Sequence, residues 1–134
     1  MSEPFKLVVA GSRTIHDYDV VYDAIVESPF WPIHGGEIVS GGADGVDSSA
    51  ERFYTEAKAD FNLSFREFEP GWEKHGDSAG PRRNKRMVEY GDALIAVWNG
   101  RSNGTRDTIN KALDIGLSTY VCVVGENKKL DTYV

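Results

Sequence analysis

Short apolar runs alternate with amphipathic stretches along the whole chain. Three of the runs are continuously apolar, rich in β-branched residues and bounded by glycine, which is typical of strands covered on both faces. The stretches between the runs repeat apolar residues at helical spacing. The runs that predict strands are residues 6–10, 37–40, 64–69, 93–98 and 119–124.

The four intervening helices are predicted from apolar residues three and four positions apart. Their markers are Val20, Val21, Ala24 and Ile25, then Val46, Ala50, Phe53, Tyr54 and Ala57, then Met87 and Val88, and last Ile109, Ala112 and Leu113 before a stop at Gly116. Repeated strand–helix alternation predicts right-handed crossovers and a parallel sheet. We therefore predict an α/β fold, a Rossmann-like three-layer sandwich whose five-stranded parallel sheet has the order 3-2-1-4-5.

Length and composition fit one globular domain spanning residues 1–134. The 134 residues include 40% hydrophobic and 27% charged positions, close to an average globular chain. No apolar run approaches the roughly 18–20 residues that cross a bilayer, and the first residues carry no basic segment typical of a secretory signal. We expect a cytoplasmic protein that does not act at a membrane.

Charge and cysteine content narrow the classes of function. The formal net charge of −6 disfavours sequence-independent binding to nucleic acid, which needs a basic face. The single cysteine, Cys122, lies in an apolar run and is predicted to be a small buried hydrophobe rather than a nucleophile. Three separated histidines and one cysteine do not form a metal site. No metal or cofactor is predicted.

Glycine and polar residues concentrate after the predicted strands. In a parallel sheet these positions meet at one edge, where the ligands of such folds bind. The opposite edge has only plain turns. The segments at the carboxyl edge are residues 11–14, 41–47, 71–72 with 75–84, and 99–105.

Several of these glycines suit tight strand-to-helix turns. Gly41, Gly42 and Gly104 are predicted to use positive φ and the missing Cβ to bring backbone N–H groups near a ligand. Neither the GxxxxGK[ST] nor the GxGxxG fingerprint is present, which disfavours P-loop nucleotidases and ordinary NAD-dependent dehydrogenases.

Two arginines are predicted to face the crevice. Counting back four residues from Met87 and Val88 places Arg83 and Asn84 on the inward face of the third helix, one turn nearer the ligand edge. A guanidinium at a core edge is costly unless it meets an anion. Since Arg13 directly follows the first strand, two guanidiniums indicate recognition of phosphate or carboxylate.

Two helix starts carry the remaining polar candidates. Asp44 is predicted as the N-cap of the second helix, and Asp47 leans toward its buried face, where a carboxylate suits ribose hydroxyls better than phosphate. The fourth helix begins without an acid, so its first turn is predicted to cradle phosphate with backbone donors and hydroxyls. That turn contains Ser102, Asn103, Gly104 and Thr105.

Trp72 is an aromatic residue at the same edge of the sheet. Its ring either stacks on the base of a ligand or packs in the core.

One catalytic motif is set aside. Residues 100–104 match GxSxG, but every histidine precedes Ser102. The Ser, Asp, His order of α/β hydrolases therefore fails.

The whole set of motifs resembles the YspA/YpsA-type branch of the SLOG superfamily. That superfamily joins DprA (Smf) with the Lonely Guy cytokinin-activating enzymes. The resemblance covers about residues 5–125 in the right order. It rests on Gly11-Ser12-Arg13, the segment Ser40 to Asp47, Gly71-Trp72, His75-Gly76, Ala79-Gly80, Arg83-Asn84 before Met87, and Gly104-Thr105.

The resemblance implies a domain that binds or senses a nucleotide or nucleotide derivative. Its implied ligand contacts are Gly11, Ser12, Arg13, Gly41, Gly42, Asp47, Trp72, Arg83, Asn84, Ser102, Gly104 and Thr105. The alternative is a nucleoside 5′-monophosphate N-glycosidase like the Lonely Guy enzymes, with Arg83 and either Asp47 or Asp107 as catalytic residues. Here Asn84 replaces the family's lysine, and Thr108 stands where its catalytic glutamate is expected, so binding is favoured over turnover. DNA handling as in DprA fits the charge poorly. Self-association is common in the family.

Overall fold

A computed structural model of the protein describes residues 3–125 in full and the backbone of residues 130–133. It is an α/β sandwich. The strands are β1 (Lys6–Gly11), β2 (Glu37–Ser40), β3 (Ser64–Glu67), β4 (Ala93–Trp98), β5 (Ser118–Val124) and β6 (Leu130–Tyr133). The helices are α1 (Tyr18–Glu27), α2 (Val46–Phe61), α3 (Trp72–His75), α4 (Ala79–Tyr90) and α5 (Asn103–Asp114).

The sheet has the order β3-β2-β1-β4-β5-β6. Its first five strands are all parallel, which confirms the predicted Rossmann-like order. The sixth strand, β6, pairs antiparallel with β5 and was not predicted. Its four residues, Leu-Asp-Thr-Tyr, show no strict alternation and form too short a run to be distinguished from a loop by their pattern.

The core lies on both faces of the sheet. Leu7, Val9 and Ile95 pack toward α1 and α2, whereas Val8 and Leu94 pack toward α4 and α5. Alternate residues of each central strand therefore meet a helical layer on either side, which explains why β1 and β4 read as continuously apolar. Cys122 is fully buried, as predicted.

The region after β3 differs from the prediction. The strand ends at Glu67, two residues early, because β3 borders the sheet and most of its residues are exposed. The predicted loop after it contains α3 and a short 3₁₀ turn, Gly76–Ser78. Gly71 and Gly76 have positive φ at the two ends of α3 and limit it to one turn. Among the described residues, no helix is long and apolar enough to cross a membrane.

The strand order creates a crevice between β1 and β4. The chain leaves β1 toward α1 on one face of the sheet and leaves β4 toward α5 on the other. The two connecting loops diverge at this point, where ligands of open α/β sheets bind.

Candidate ligand-binding cleft

A cleft of about 710 Å³ opens at the carboxyl edge of the sheet. Its volume lies within the range usual for small-molecule sites. The predicted site residues that line it are Gly11, Ser12, Arg13, Asp47, Trp72, Arg83, Asn84, Ser102, Gly104, Thr105 and Asp107. Gly41 and Gly42 instead line an adjoining cavity of about 250 Å³, which shares Arg13, Ala43, Trp72 and Arg83 with the cleft.

The loop after β1 joins the two sides of the crevice. A Cβ at Gly11 would overlap the carbonyl oxygen of Val97 in β4, so this close approach requires glycine. Ser12 is fully buried, and its Oγ accepts a hydrogen bond from the N–H of Asn99 at 3.1 Å. Ser12 therefore anchors the loop after β4. Arg13 is exposed and donates to no described residue.

The loop after β2 is shaped by glycines with different roles. Gly42 has φ +74°, as predicted, whereas Gly41 has no positive φ, contrary to the prediction, and instead leaves the space that the Arg83 guanidinium occupies. The N-cap of α2 is Gly45, with φ +73° and no side-chain cap. The prediction that Asp44 is the N-cap was wrong, because positive φ and the approach of the Arg13 carbonyl leave room only for glycine at the turn into α2.

Asp47 is a buried carboxylate with one unpartnered oxygen. It is 5% exposed, its Oδ2 accepts from the N–H of Ala43 at 3.1 Å, and its Oδ1 makes no hydrogen bond with any described residue. Burial raises the pKa of Asp47 to about 6, against the opposing effects of the Ala43 N–H, Arg83 and Arg13. The predicted inward lean of Asp47 is confirmed.

Arg83 is buried beside Asp47, as the spacing predicted. Its Nη1 donates to the carbonyl of Gly41 at 2.6 Å and more weakly to that of Phe68 at 3.5 Å. Its Nε donates to Oδ1 of Asn84 at 2.9 Å. Burial lowers the pKa of the Arg83 guanidinium from its ordinary value. Its Nη2 donates to no described residue and remains a donor for a ligand.

Asp107 is paired, unlike Asp47. Both of its carboxylate oxygens accept from Nζ of Lys111, at 2.7 and 2.6 Å, and its Oδ2 also accepts from Nδ2 of Asn84 at 3.0 Å. Thr108, the next residue, donates its hydroxyl back to the carbonyl of Gly104 at 3.1 Å. The two candidate carboxylates therefore have opposite surroundings.

The first turn of α5 presents unpaired donors to the cleft. The backbone N–H groups of Asn103, Gly104 and Thr105 bond to no described residue, and no acid lies in the turn. Ser102 occupies the N-cap position without capping through its side chain. Its hydroxyl instead lies 3.3 Å from that of Thr105. Such a helix start favours an anion.

Gly104 does not play its predicted backbone role. It lies inside α5 with no positive φ, and a Cβ there would meet nothing within 4 Å. The glycine with positive φ in this loop is Gly100, at +81°. Sequence reasoning chose the wrong glycine because helix α5 begins earlier than its apolar pattern shows.

A pair of glycine substitutions tests these assignments. We expect Gly45→Ala to lower the free energy of unfolding by about 2 kcal/mol or more, because positive φ and a carbonyl contact both oppose a Cβ. We expect Gly104→Ala to raise it by about 0.5–1 kcal/mol, since alanine favours the helix. Urea denaturation of both variants measures the difference. Equal effects of the two substitutions would contradict it.

Trp72 lies at the rim of the cleft and of the adjoining cavity. Half of its surface is exposed, so it is not a core aromatic, the second of the two roles left open by the sequence. His75, three residues later, does not line the cleft. Burial and the nearby charges of Arg82, Lys74 and Arg86 lower the pKa of His75.

Some lining residues were predicted to lie at this edge but were given no individual ligand contact. Thr14, Asn99 and Arg101 come from the two diverging loops, and Gly80 and Pro81 begin α4. All five lie in the segments 11–14, 75–84 and 99–105, and the position of these segments after the predicted strands was the available signal. Among the described residues, no group of three histidine, cysteine, aspartate or glutamate side chains is arranged to hold a metal.

Comparison with known proteins identifies a relative of the chain. No family model matches it. A match of 34% identity over 114 residues, covering 84% of this chain and 91% of the relative, joins it to the Gene 61 protein of Mycobacterium phage D29. The chain belongs to the family of this phage Gene 61 protein.

Proposed function

We propose that the cleft binds a phosphorylated nucleoside or a related nucleotide derivative, as the resemblance to the YspA/YpsA-type branch of the SLOG superfamily implies. The observation that carries the proposal is the first turn of α5, where three unpaired backbone N–H groups meet two hydroxyls without an acid. A phosphate group would accept several of these hydrogen bonds at once.

The charges around this turn support a phosphate ligand. Arg83 keeps its Nη2 donors unused at a buried position, and Arg13 lines the same cleft without a hydrogen-bond partner among the described residues. Asp107 is neutralised by Lys111. A dianion in the cleft would therefore meet the guanidiniums of Arg13 and Arg83 beside the buried carboxylate of Asp47.

The remaining polar and aromatic groups suit a nucleoside. Asp47 Oδ1 lacks a donor, and the terminal torsion of an aspartate is soft enough to turn an oxygen toward a sugar hydroxyl. The half-exposed Trp72 ring offers a face on which a base can stack. Phosphate, sugar and base would thus each find a matching group.

The proposal is tested by isothermal titration calorimetry, in which nucleoside 5′-monophosphates and the matching nucleosides are titrated into the protein. We expect the monophosphates to bind at least about 30-fold more tightly, since charge-assisted hydrogen bonds contribute about 2 kcal/mol or more. Equal affinity of the two series, or no binding by either, would contradict the proposed function.

An N-glycosidase is the second candidate, and Asp47 is the observation that favours it. A buried carboxyl group with a pKa of about 6 suits a base that takes a proton from water as the water oxygen bonds to C1′. The C1′–N bond would break, and its electron pair and a proton would leave with the base. Mass spectrometry of the titrated mixtures for free base and ribose 5-phosphate distinguishes turnover from binding. Release that persists in Asp47→Asn would remove Asp47 from this role.

A further inference from the structure

A continuous chain of polar groups links α5 to the buried guanidinium. It begins at the carbonyl of Pro81, which accepts from Lys111 Nζ at 3.2 Å. Lys111 then pairs with Asp107, Asp107 accepts from Asn84, and Asn84 accepts from Arg83. These hydrogen bonds and the ion pair thus connect α4 to α5 along the wall of the cleft.

The two hydrogen-bond partners of the side chain at position 84 explain why an amide stands there. The Arg83 guanidinium can only donate, and the Asp107 carboxylate, when ionised, can only accept. Asn84 is 5% exposed and stands between them, with its carbonyl oxygen toward Arg83 and its amino group toward Asp107. A carboxylate or an apolar side chain would leave at least one partner unsatisfied, whereas an amide satisfies both.

From this arrangement we infer that Asn84, held by the Asp107–Lys111 pair, is a positioning residue that sets the orientation of Arg83 in the cleft. With Nε directed to Asn84 and Nη1 directed to the Gly41 carbonyl, the plane of the guanidinium is defined at both ends. The orientation of the two Nη2 N–H donors is then fixed as well. Asp107 acts on Arg83 through Asn84.

Asp47 provides a reporter of where the Arg83 charge lies. Burial is the largest influence on the pKa of Asp47 and raises it; among the neighbouring groups, the Ala43 N–H, Arg83 and Arg13 lower it and Glu67 raises it. If Arg83 loses its fixed orientation, its stabilising effect on the carboxylate weakens and the pKa of Asp47 rises. This readout needs no ligand. Its failure is therefore distinguishable from a failure of the proposed function, on which only the benefit to the ligand depends.

The test is a carbon-13 NMR titration of the Asp47 carboxyl group in the wild type and four variants. Arg83→Met sets the full effect of losing the charge. Asn84→Leu is expected to raise the pKa of Asp47 by about half a unit or more, approaching the value in Arg83→Met. Val88→Ala, which trims a buried apolar residue of the same helix, controls for general loosening and should leave the pKa unchanged.

In Asp107→Ala, the direction in which the pKa of Asp47 changes distinguishes the proposed role of Asp107 from a direct electrostatic effect. Removing a carboxylate lowers the pKa of another acid by direct electrostatics, whereas releasing Arg83 raises it. We expect a rise in Asp107→Ala that is smaller than in Asn84→Leu. A wild-type pKa in Asn84→Leu, an equal shift in Val88→Ala, or a lowered pKa in Asp107→Ala would each overturn the inference.

Discussion

Arg83→Met is expected to weaken binding of a nucleoside 5′-monophosphate by about 100-fold or more, because it removes a desolvated cation aimed at an anion. The guanidinium is 7% exposed and has Nη2 donors that no described residue uses. Water screens the attraction between Arg83 and a bound anion poorly at this buried position. Removal of the guanidinium therefore costs more binding free energy than removal of a surface charge. Calorimetric titration measures the change.

Arg82→Met is the matched control for this experiment. Arg82 is the preceding residue of α4, carries the same charge and is exposed, with its Nε bonded to the Ser78 hydroxyl at 3.1 Å. We expect its loss to change affinity by no more than about twofold, as is usual for exposed charges. Comparable losses in both variants would mean that net charge, and not the buried guanidinium, governs binding. Circular dichroism of each variant verifies folding.

Asp47→Asn is expected to stabilise the protein increasingly as the pH rises. The pKa of Asp47 is raised from 3.8 to about 6 by burial, so between these values the folded state binds more protons than the unfolded state. Stability from this group is therefore fully present below about pH 4 and is lost as the pH passes through about 6. At about 1.4 kcal/mol for each of roughly two pH units, the loss is about 3 kcal/mol.

Urea unfolding of both proteins from pH 4 to pH 8 measures this effect. The advantage of Asp47→Asn over the wild type should grow by about 3 kcal/mol across that range, and other titrating groups cancel in the difference. Asp44→Asn, in the same loop but exposed, is the matched control for the loss of one negative charge, and an effect as large as that of Asp47→Asn would mean that net charge and not burial is responsible. A flat or opposite trend for Asp47→Asn would contradict the assignment of an unpartnered buried carboxylate.

A stabilising substitution at Asp47 would also bear on function. A buried, unsatisfied polar group lowers the stability of a native protein and needs an explanation, of which a functional role is one. Asp47→Asn is expected to raise the free energy of unfolding. If it also weakens binding of the nucleotide, then the carboxylate that destabilises the unliganded protein is the one that contacts the ligand in the complex.

Local spacing was sufficient to place the key residues of the cleft. Met87 and Val88 identified the inward face of α4, and counting one turn back identified Arg83 and Asn84. The same reasoning assigned Asp47 to the buried side of α2. These predictions succeeded because helical periodicity is a local property that the apolar residues report directly.

Three features could not be read in this way. The cap of α2 depends on a carbonyl of the loop after β1, 32 residues earlier than Gly45. The pairing of Asn84 with Asp107 joins residues 23 positions apart. The short strand β6 is defined by its partner β5 and not by its own pattern. Each depends on contacts between distant segments.

The sequence by itself determined the alternation of strands and helices, the parallel sheet between two helical layers and the edge at which polar residues collect, because these follow from hydrophobic periodicity and chain handedness. Only the tertiary structure decided which polar groups are satisfied. Asp107 meets Lys111 and Asn84, whereas Asp47 is buried with a free oxygen. Both are aspartates near a helix start, and their difference arises from burial and from partners on other elements, which set the electrostatic environment of a carboxylate.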